Sequence, residues 1–224
     1  MLINSTDSHL RFPEGLFLQD LLDCVSVYIA LDFDGVLHST DAAPYKNWVQ
    51  DLQSGSLSRA GFLDLAHQDF LKSVSEGDSN GELFDRSHHL IAVLKRRPDV
   101  RIVIATSWRM TLDIEKIKDL MPPDLASRVV GMLDTDPESA ANGPFFPGVR
   151  RRLMERWIVQ NANPQATWLA VDDCAALWEG HGDRLVNPRG EGMRPVDAIE
   201  LLRRLPALTR VRNVAPQQTS TVVI

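Results

Sequence analysis

Cysteine is nearly missing from this chain. Its 224 residues include two, Cys24 and Cys174, which are too few and too far apart for a disulfide framework or a CxxC metal site. That usage suits a reducing compartment, so a cytoplasmic location is expected. Long apolar runs are absent as well: no stretch of 18 apolar residues occurs, and no membrane span is expected. The apolar patch at 15–22 is short, contains Asp20 and has no basic leader, unlike a secretory signal. Positive charge is not in excess. Lys and Arg number 24 against 30 Asp and Glu, a net charge of −6, which excludes a global basic field for nucleic acid while leaving room for a local basic patch. No internal repeat or low-complexity tract is visible.

What is present is ordinary for a globular protein. Hydrophobic residues make up 44% and charged residues 24%, which argues against disorder over most of the chain. The length fits one domain with an embellishment, or at most two small ones. Three apolar runs rich in β-formers, 25–31, 100–106 and 167–171, read as strands buried on both faces. Weaker strands are expected at 129–133 and 185–187. Between them lie helical patterns: Ser87 as the cap of a helix ending before Pro98, a helix over Leu112–Leu120, an amphipathic helix over 149–160, and a closing helix over 196–205. Strands alternating with helices predict an α/β fold, a Rossmann-like three-layer parallel sheet with a small helical insertion after the first strand. Residues 1–24 read as an N-terminal extension with a short helix near Leu16–Leu22. Residues 25–207 form the core, with the insertion, a small cap or an extended flap, at about 38–84. Residues 208–224 are a tail.

The three strong strands all end in polar residues: Asp32 and Asp34 after the first, Thr106, Ser107 and Arg109 after the second, Asp172 and Asp173 after the third. In an open α/β sheet the carboxyl ends of the strands line the ligand crevice. Four carboxylates gathered there repel one another and raise each other's pKa. A hard divalent cation offsets that cost, and ligands that are all oxygen suit Mg²⁺. Carboxylates, Mg²⁺ and a guanidinium together can hold a phosphoryl group. Each piece alone has a plainer reading. A lone Asp-x-Asp-Gly also fits a capped strand end or a sugar-nucleotide motif. An Asp pair after a strand is commonly a helix N-cap, and Arg150–Arg152 could be a solvated helix face. Trp108 and Trp157 read as packing residues, and His88 and His89 as surface; His38 follows the Asp32 loop and could touch substrate, though the plainer reading is that it does not; Cys174 reads as a buried small apolar residue. His181 and Asp183 lack zinc-ligand spacing.

The order of the motifs is more specific than any one of them. Response-regulator receivers also use acidic strand ends with Mg²⁺, but in them the acidic pair comes early. Here Ala30-Leu-Asp-Phe-Asp-Gly-Val-Leu37 comes first, Ile104-Ala-Thr-Ser-Trp-Arg109 second and Leu169-Ala-Val-Asp-Asp173 last. That order resembles the haloacid dehalogenase-like (HAD) superfamily, and within it the small HAD domains with a Ser-Trp-Arg second motif, some associated with RNA-repair proteins.

The resemblance implies a Mg²⁺-dependent phosphatase. Asp32 would be the nucleophile, ionised at neutral pH if it keeps an ordinary carboxylate pKa of about 4. Asp34 would be the general acid and base. Asp32, the backbone carbonyl of Asp34, and one or both of Asp172 and Asp173 would hold Mg²⁺, and Thr106 or Ser107 would bond a phosphoryl oxygen. The family's usual third-motif Lys is missing, since no Lys follows Lys118. Arg150 is the expected substitute, with Arg109 as a second phosphate-binding candidate. The substrate would be a phosphomonoester, on either a small molecule or a nucleic-acid end. A catalytically quiet HAD-fold binding module and a phosphotransferase or phosphomutase are the alternatives. The reading requires positions 32, 106 and 172 to gather around a shared cation. Those groups lying far apart, or an arginine filling the cavity where the ion should sit, would end it.

Overall fold

The computed structural model describes residues 26–39, 45–75, 82–135, 147–163, 166–180, 182–189 and 191–206. The expected N-terminal extension with its short helix and the expected tail lie outside the described residues.

Five strands form one parallel sheet: β1 (Val27–Leu31), β2 (Val100–Ile104), β3 (Val129–Met132), β4 (Thr167–Val171) and β5 (Leu185–Val186), in the spatial order β3-β2-β1-β4-β5. The central strand carries no charged side chain, and all five of its residues are buried. Its alternation sorts them to two faces. Val27, Ile29 and Leu31 join Ile102, Ile104 and Val171 in one core; Tyr28 and Ala30 join Val103, Trp168 and Ala170 in another. A strand apolar on both faces needs a layer on each side.

One layer is built from helices α1 (Tyr45–Ser54), α2 (Arg59–Ser75), α3 (Ser87–Arg96), α4 (Ile114–Leu120) and α7 (Pro195–Arg204), with the single-turn helix α5 (Pro123–Ala126) beside them. The other is built from α6 (Val149–Asn161) and the 3₁₀ turn Ala175–Trp178. The result is the three-layer α/β architecture expected from the strand–helix alternation. Gly131 marks how closely one layer sits: a Cβ there would fall 2.6–2.8 Å from the Trp157 indole, so β3 can lie against that ring only as glycine.

One local expectation differs from the structure. Ser87 is not a cap: it is the first helical residue, it is buried, and Arg86 in the cap position makes no side-chain cap bond. The described part of the insertion packs into the core. Leu52 of α1 and Phe62 and Ala66 of α2 are buried in the main core. Arg59 Nε donates to the Asp119 carbonyl, and Lys116 Nζ donates to Gln53 Oε1 at 3.1 Å. The insertion is thereby tied to α4 and its C-terminal end.

The register fixes the functional edge. Leu31 pairs with Ile104 on one side and with Val171 on the other, and the ladder runs one residue further, through Ala105 N to Leu31 O at 2.8 Å and Asp32 N to Val171 O at 3.0 Å. β1 connects to β2 on one side while β4 lies on the other, so the chain reverses its direction of travel across the sheet at β1. The crevice beyond the strand ends at such a switch point is where open α/β sheets bind ligands.

Candidate active site

Asp32 leaves β1 level with Asp172 leaving β4. Both are buried, and Nη1 of Arg150 donates to Oδ2 of each. Arg150 stands in the first turn of α6 and, as the expected substitute for the usual Lys, turns inward among Val149, Leu153 and Met154, where it binds two carboxylates. Asp32 Oδ1 also accepts from Phe33 N at 2.8 Å. Asp172 accepts more: its Oδ1 takes Cys174 N at 2.8 Å, and its Oδ2 takes Trp178 Nε1 at 2.7 Å besides Arg150. Asp173 is half-buried, and Asp32, Asp172 and Asp173 each offer an oxygen within 4.8 Å of the others.

Burial pushes the Asp32 carboxyl up to about 7, against the pull of Arg150 and with help from the negative charge of Asp172. The ordinary carboxylate value assumed from sequence does not hold for this residue. Burial, reinforced by Asp172, raises Asp173 as well. Burial also opposes the charge on Arg150, but Asp32 and Asp172 overcome it and hold the guanidinium above its usual range.

Asp34 lies at the rim. Its side chain is 37% exposed. Gly35, at φ +71°, turns the chain behind it, and Val36 N and Leu37 N both donate to the Phe33 carbonyl. That turn returns His38 over Asp34, with 3.0 Å between His38 Nε2 and Asp34 Oδ1. Trp108 Nε1 donates to Asp34 Oδ2 at 3.2 Å.

The β2 end divides its hydroxyls. Thr106 is fully buried, and its Oγ1 accepts from Trp108 N at 3.4 Å as the cap of the 3₁₀ turn Ser107–Met110. Ser107 is partly exposed. Arg109 is buried and turned back on the strand, its Nη1 donating to the carbonyls of Ala105 and Thr106 at 3.0 and 2.8 Å. Burial and the neighbouring Arg150 lower its pKa to about 10.

Arg150 thus stands between two of the carboxylates. It does not complete the charge balance. Four carboxylates (Asp32, Asp34, Asp172 and Asp173) gather around two guanidinium groups (Arg109 and Arg150), which leaves 4 − 2 = 2 negative charges when all are ionised. Asp172 accepts three hydrogen bonds, from Arg150, Trp178 and Cys174 N, against two on Asp32, so of about four acceptor sites per carboxylate it has fewer left for an ion. Both side-chain oxygens of Asp34 are engaged, so its backbone carbonyl is the group it could offer. This all-oxygen donor set fits a hard divalent cation held by Asp32 and Asp173.

Among the expected site residues, the structure brings Asp32, Arg150, Asp172 and Asp173 together and sets Asp34 beside them. It commits Thr106 and Arg109 to backbone contacts at the second strand end. Cys174, expected to be buried, is exposed, because the chain turns outward after Asp173. Three contacts had no sequence signal: His38 and Trp108 on Asp34, and Trp178 on Asp172. Trp108 sits inside the Ser-Trp-Arg motif, but only the fold shows that its indole reaches a carboxylate 74 positions away.

A parallel sheet with Asp-x-Asp at its central strand end and an acidic pair at the next strand defines the HAD-like class of α/β hydrolases. Within that class, the chain belongs to the family described as the HAD domain in Swiss Army Knife RNA repair proteins, whose model matches residues 28–198. No curated protein and no solved structure matches the chain. HAD-like domains carry hydrolase-type activity and typically use a divalent metal, and the carboxylate cluster is one that could bind such an ion. Among the described residues, no helix is long and apolar enough to cross a membrane.

Proposed function

We propose that this chain is a Mg²⁺-dependent phosphatase that hydrolyses a phosphomonoester through an aspartyl-phosphate on Asp32. The observation that carries the reading is the pairing of a buried Asp32, held by Arg150, with a solvent-facing Asp34 two residues on.

A carboxylate oxygen of Asp32 attacks phosphorus, and the ester P–O bond breaks. The departing alkoxide takes a proton from Asp34. Water then attacks the aspartyl-phosphate and gives its proton to Asp34, the bond from phosphorus to Asp32 breaks, and inorganic phosphate leaves. Acid–base help of this kind is worth roughly 10²–10⁴-fold. Arg150 orients Asp32 for attack and balances Asp172. Ser107, the hydroxyl with solvent access at the second strand end, offers a hydrogen bond to a phosphoryl oxygen. Mg²⁺, held by Asp32 and Asp173, would supply positive charge against the phosphoryl oxygens and keep Asp32 ionised at neutral pH.

The family description supports a phosphorylated RNA end as substrate. So does the insertion, which shares the core with the catalytic sheet where a closing cap over a small metabolite would need freedom to move. The test is phosphate release from an aryl phosphate and from 3′- and 5′-phosphorylated oligonucleotides, with and without EDTA. Release that stops with EDTA and with Asp32→Asn supports the reading. No turnover on any of them refutes it, and transfer of phosphate to a second substrate in place of water makes the protein a phosphotransferase.

A further inference from the structure

Asp34 is exposed enough to rotate, yet it is gripped at both oxygens by residues from different segments. We propose that His38 and Trp108 are positioning residues that lock the Asp34 carboxyl in the orientation needed for proton transfer, and that the helical insertion acts as a brace for this pair. This rests on the phosphatase reading and extends it.

An aspartate at a protein rim ordinarily samples several side-chain rotamers. Here one oxygen meets His38 Nε2 at 3.0 Å and the other meets Trp108 Nε1 at 3.2 Å. Rotation of the carboxyl gives up one contact or both. The two partners are themselves fixed. His38 is fully buried, brought there by the turn at Gly35. Trp108 is 5% exposed, and its backbone N–H donates to Thr106 Oγ1. Its ring packs edge-on against Phe33 at 5.6 Å and against Phe62 at 6.0 Å. Phe62 belongs to the insertion helix α2, so that helix supports the back of the Trp108 ring.

Phe84 completes the support, with its ring 5.6 Å from Phe33, 5.6 Å from His38 and 6.2 Å from Trp108. Its backbone is left-handed, at φ +62°. A bulky side chain there costs conformational energy, and such strain persists only where the surroundings over-determine it. Phe84, which with Arg189 is one of the two non-glycine residues at positive φ among the described residues, therefore packs on the two side chains that hold Asp34. Proton transfer to a leaving oxygen depends on geometry before acidity, and a misplacement of about 1 Å can cost about 100-fold.

The test combines four variants. Trp108→Phe keeps an aromatic ring and removes the N–H; His38→Leu removes the other contact; His38→Gln keeps a nitrogen at similar reach. Each is measured alone, and Trp108→Phe is also placed in an Asp34→Ala background. On an aryl phosphate, Trp108→Phe and His38→Leu are expected to lower kcat about 10- to 100-fold with KM changed less than about 3-fold. His38→Gln is expected to recover most of that loss, and Trp108→Phe to have no further effect once Asp34 is gone. Should His38→Leu fail to fold, Trp108→Phe with and without Asp34→Ala decides the matter. Wild-type turnover with kcat unchanged in Trp108→Phe, or equal losses with and without Asp34, overturns this inference alone. A wild-type protein without turnover overturns it together with the phosphatase reading.

Discussion

Arg150 offers the sharpest test of how the site is held together, through Arg150→Met. The substitution keeps length and apolar stem while removing the cation that bridges Asp32 and Asp172. The damage falls unevenly. Asp172 keeps its bonds from Trp178 Nε1 and Cys174 N, whereas Asp32 keeps only Phe33 N among the bonds described. Both carboxylates are buried, at 4% and 0% exposure. Removing one partner of a buried pair costs about 3–5 kcal/mol, because the remaining charge is left without compensation. For a domain of this size each kcal/mol corresponds to roughly 2–4 °C, so the melting temperature is expected to fall by roughly 6–20 °C.

The assay is thermal unfolding followed by circular dichroism in EDTA across a pH series reaching about pH 9, because Asp32 is fully charged only well above its pKa of about 7. The loss should shrink as the pH falls, since protonation removes the uncompensated charge. Adding Asp32→Asn to Arg150→Met should recover more of the loss than adding Asp172→Asn, because Asp32 is the carboxylate left with fewer donors. An Arg150→Met protein melting within about 2 °C of wild type would refute the reasoning, because it would mean the guanidinium is not what stabilises two buried negative charges. So would recovery in the opposite order.

Two further outcomes follow from the same coordinates. Asp32 has a folded-state pKa raised from 3.8 to about 7, so folding favours its protonated form. Its contribution to stability is fully present below 3.8 and is lost as the pH rises through about 7. In EDTA the melting temperature of wild type should therefore fall across that window more than that of Asp32→Asn; parallel profiles would sink the claim. Gly131→Ala places a methyl group within 2.6–2.8 Å of the Trp157 indole. Overpacking of that kind costs about 1–3 kcal/mol, so a clear drop in urea midpoint is expected with little change in KM, and an unchanged midpoint would show that the ring moves freely.

How much of this could be read from the sequence depends on the range over which each signal acts. The strands were legible because burial on both faces demands a continuous apolar run, and Val27–Leu31 has no alternative use. Asp32, Asp34, Asp172 and Asp173 were legible because the end of such a run is a fixed place in an α/β sheet. Arg150 was singled out for its charge and its position at the start of α6; its burial was not, since three consecutive arginines look alike until the helix is rotated into place. The Asp34 contacts were invisible because they depend on a turn of four residues and on an indole that reaches across from another strand. Cys174 was misread for a related reason. Its neighbours upstream are buried, and nothing in the sequence marks the point at which the chain turns outward.

The acidic pair shows where such reasoning gains most from coordinates. In sequence Asp172 and Asp173 are equivalent. In the fold one is fully buried and accepts from Arg150, Trp178 and Cys174 N, and the other is half-buried with its pKa raised by burial and by its neighbour. A carboxylate that already accepts three hydrogen bonds gains less from a cation than one left beside a like charge. The two residues therefore have different work. Under the proposed mechanism Asp172 would anchor the guanidinium beside Asp32, and Asp173 would supply more of the negative charge that holds an ion. Asp173→Asn should accordingly weaken Mg²⁺ binding, measured by calorimetry, while leaving the fold as stable as wild type in EDTA. Asp172→Asn should destabilise the fold in EDTA. If both substitutions shift the melting temperature equally in EDTA, this division between a structural and an ion-holding aspartate is wrong.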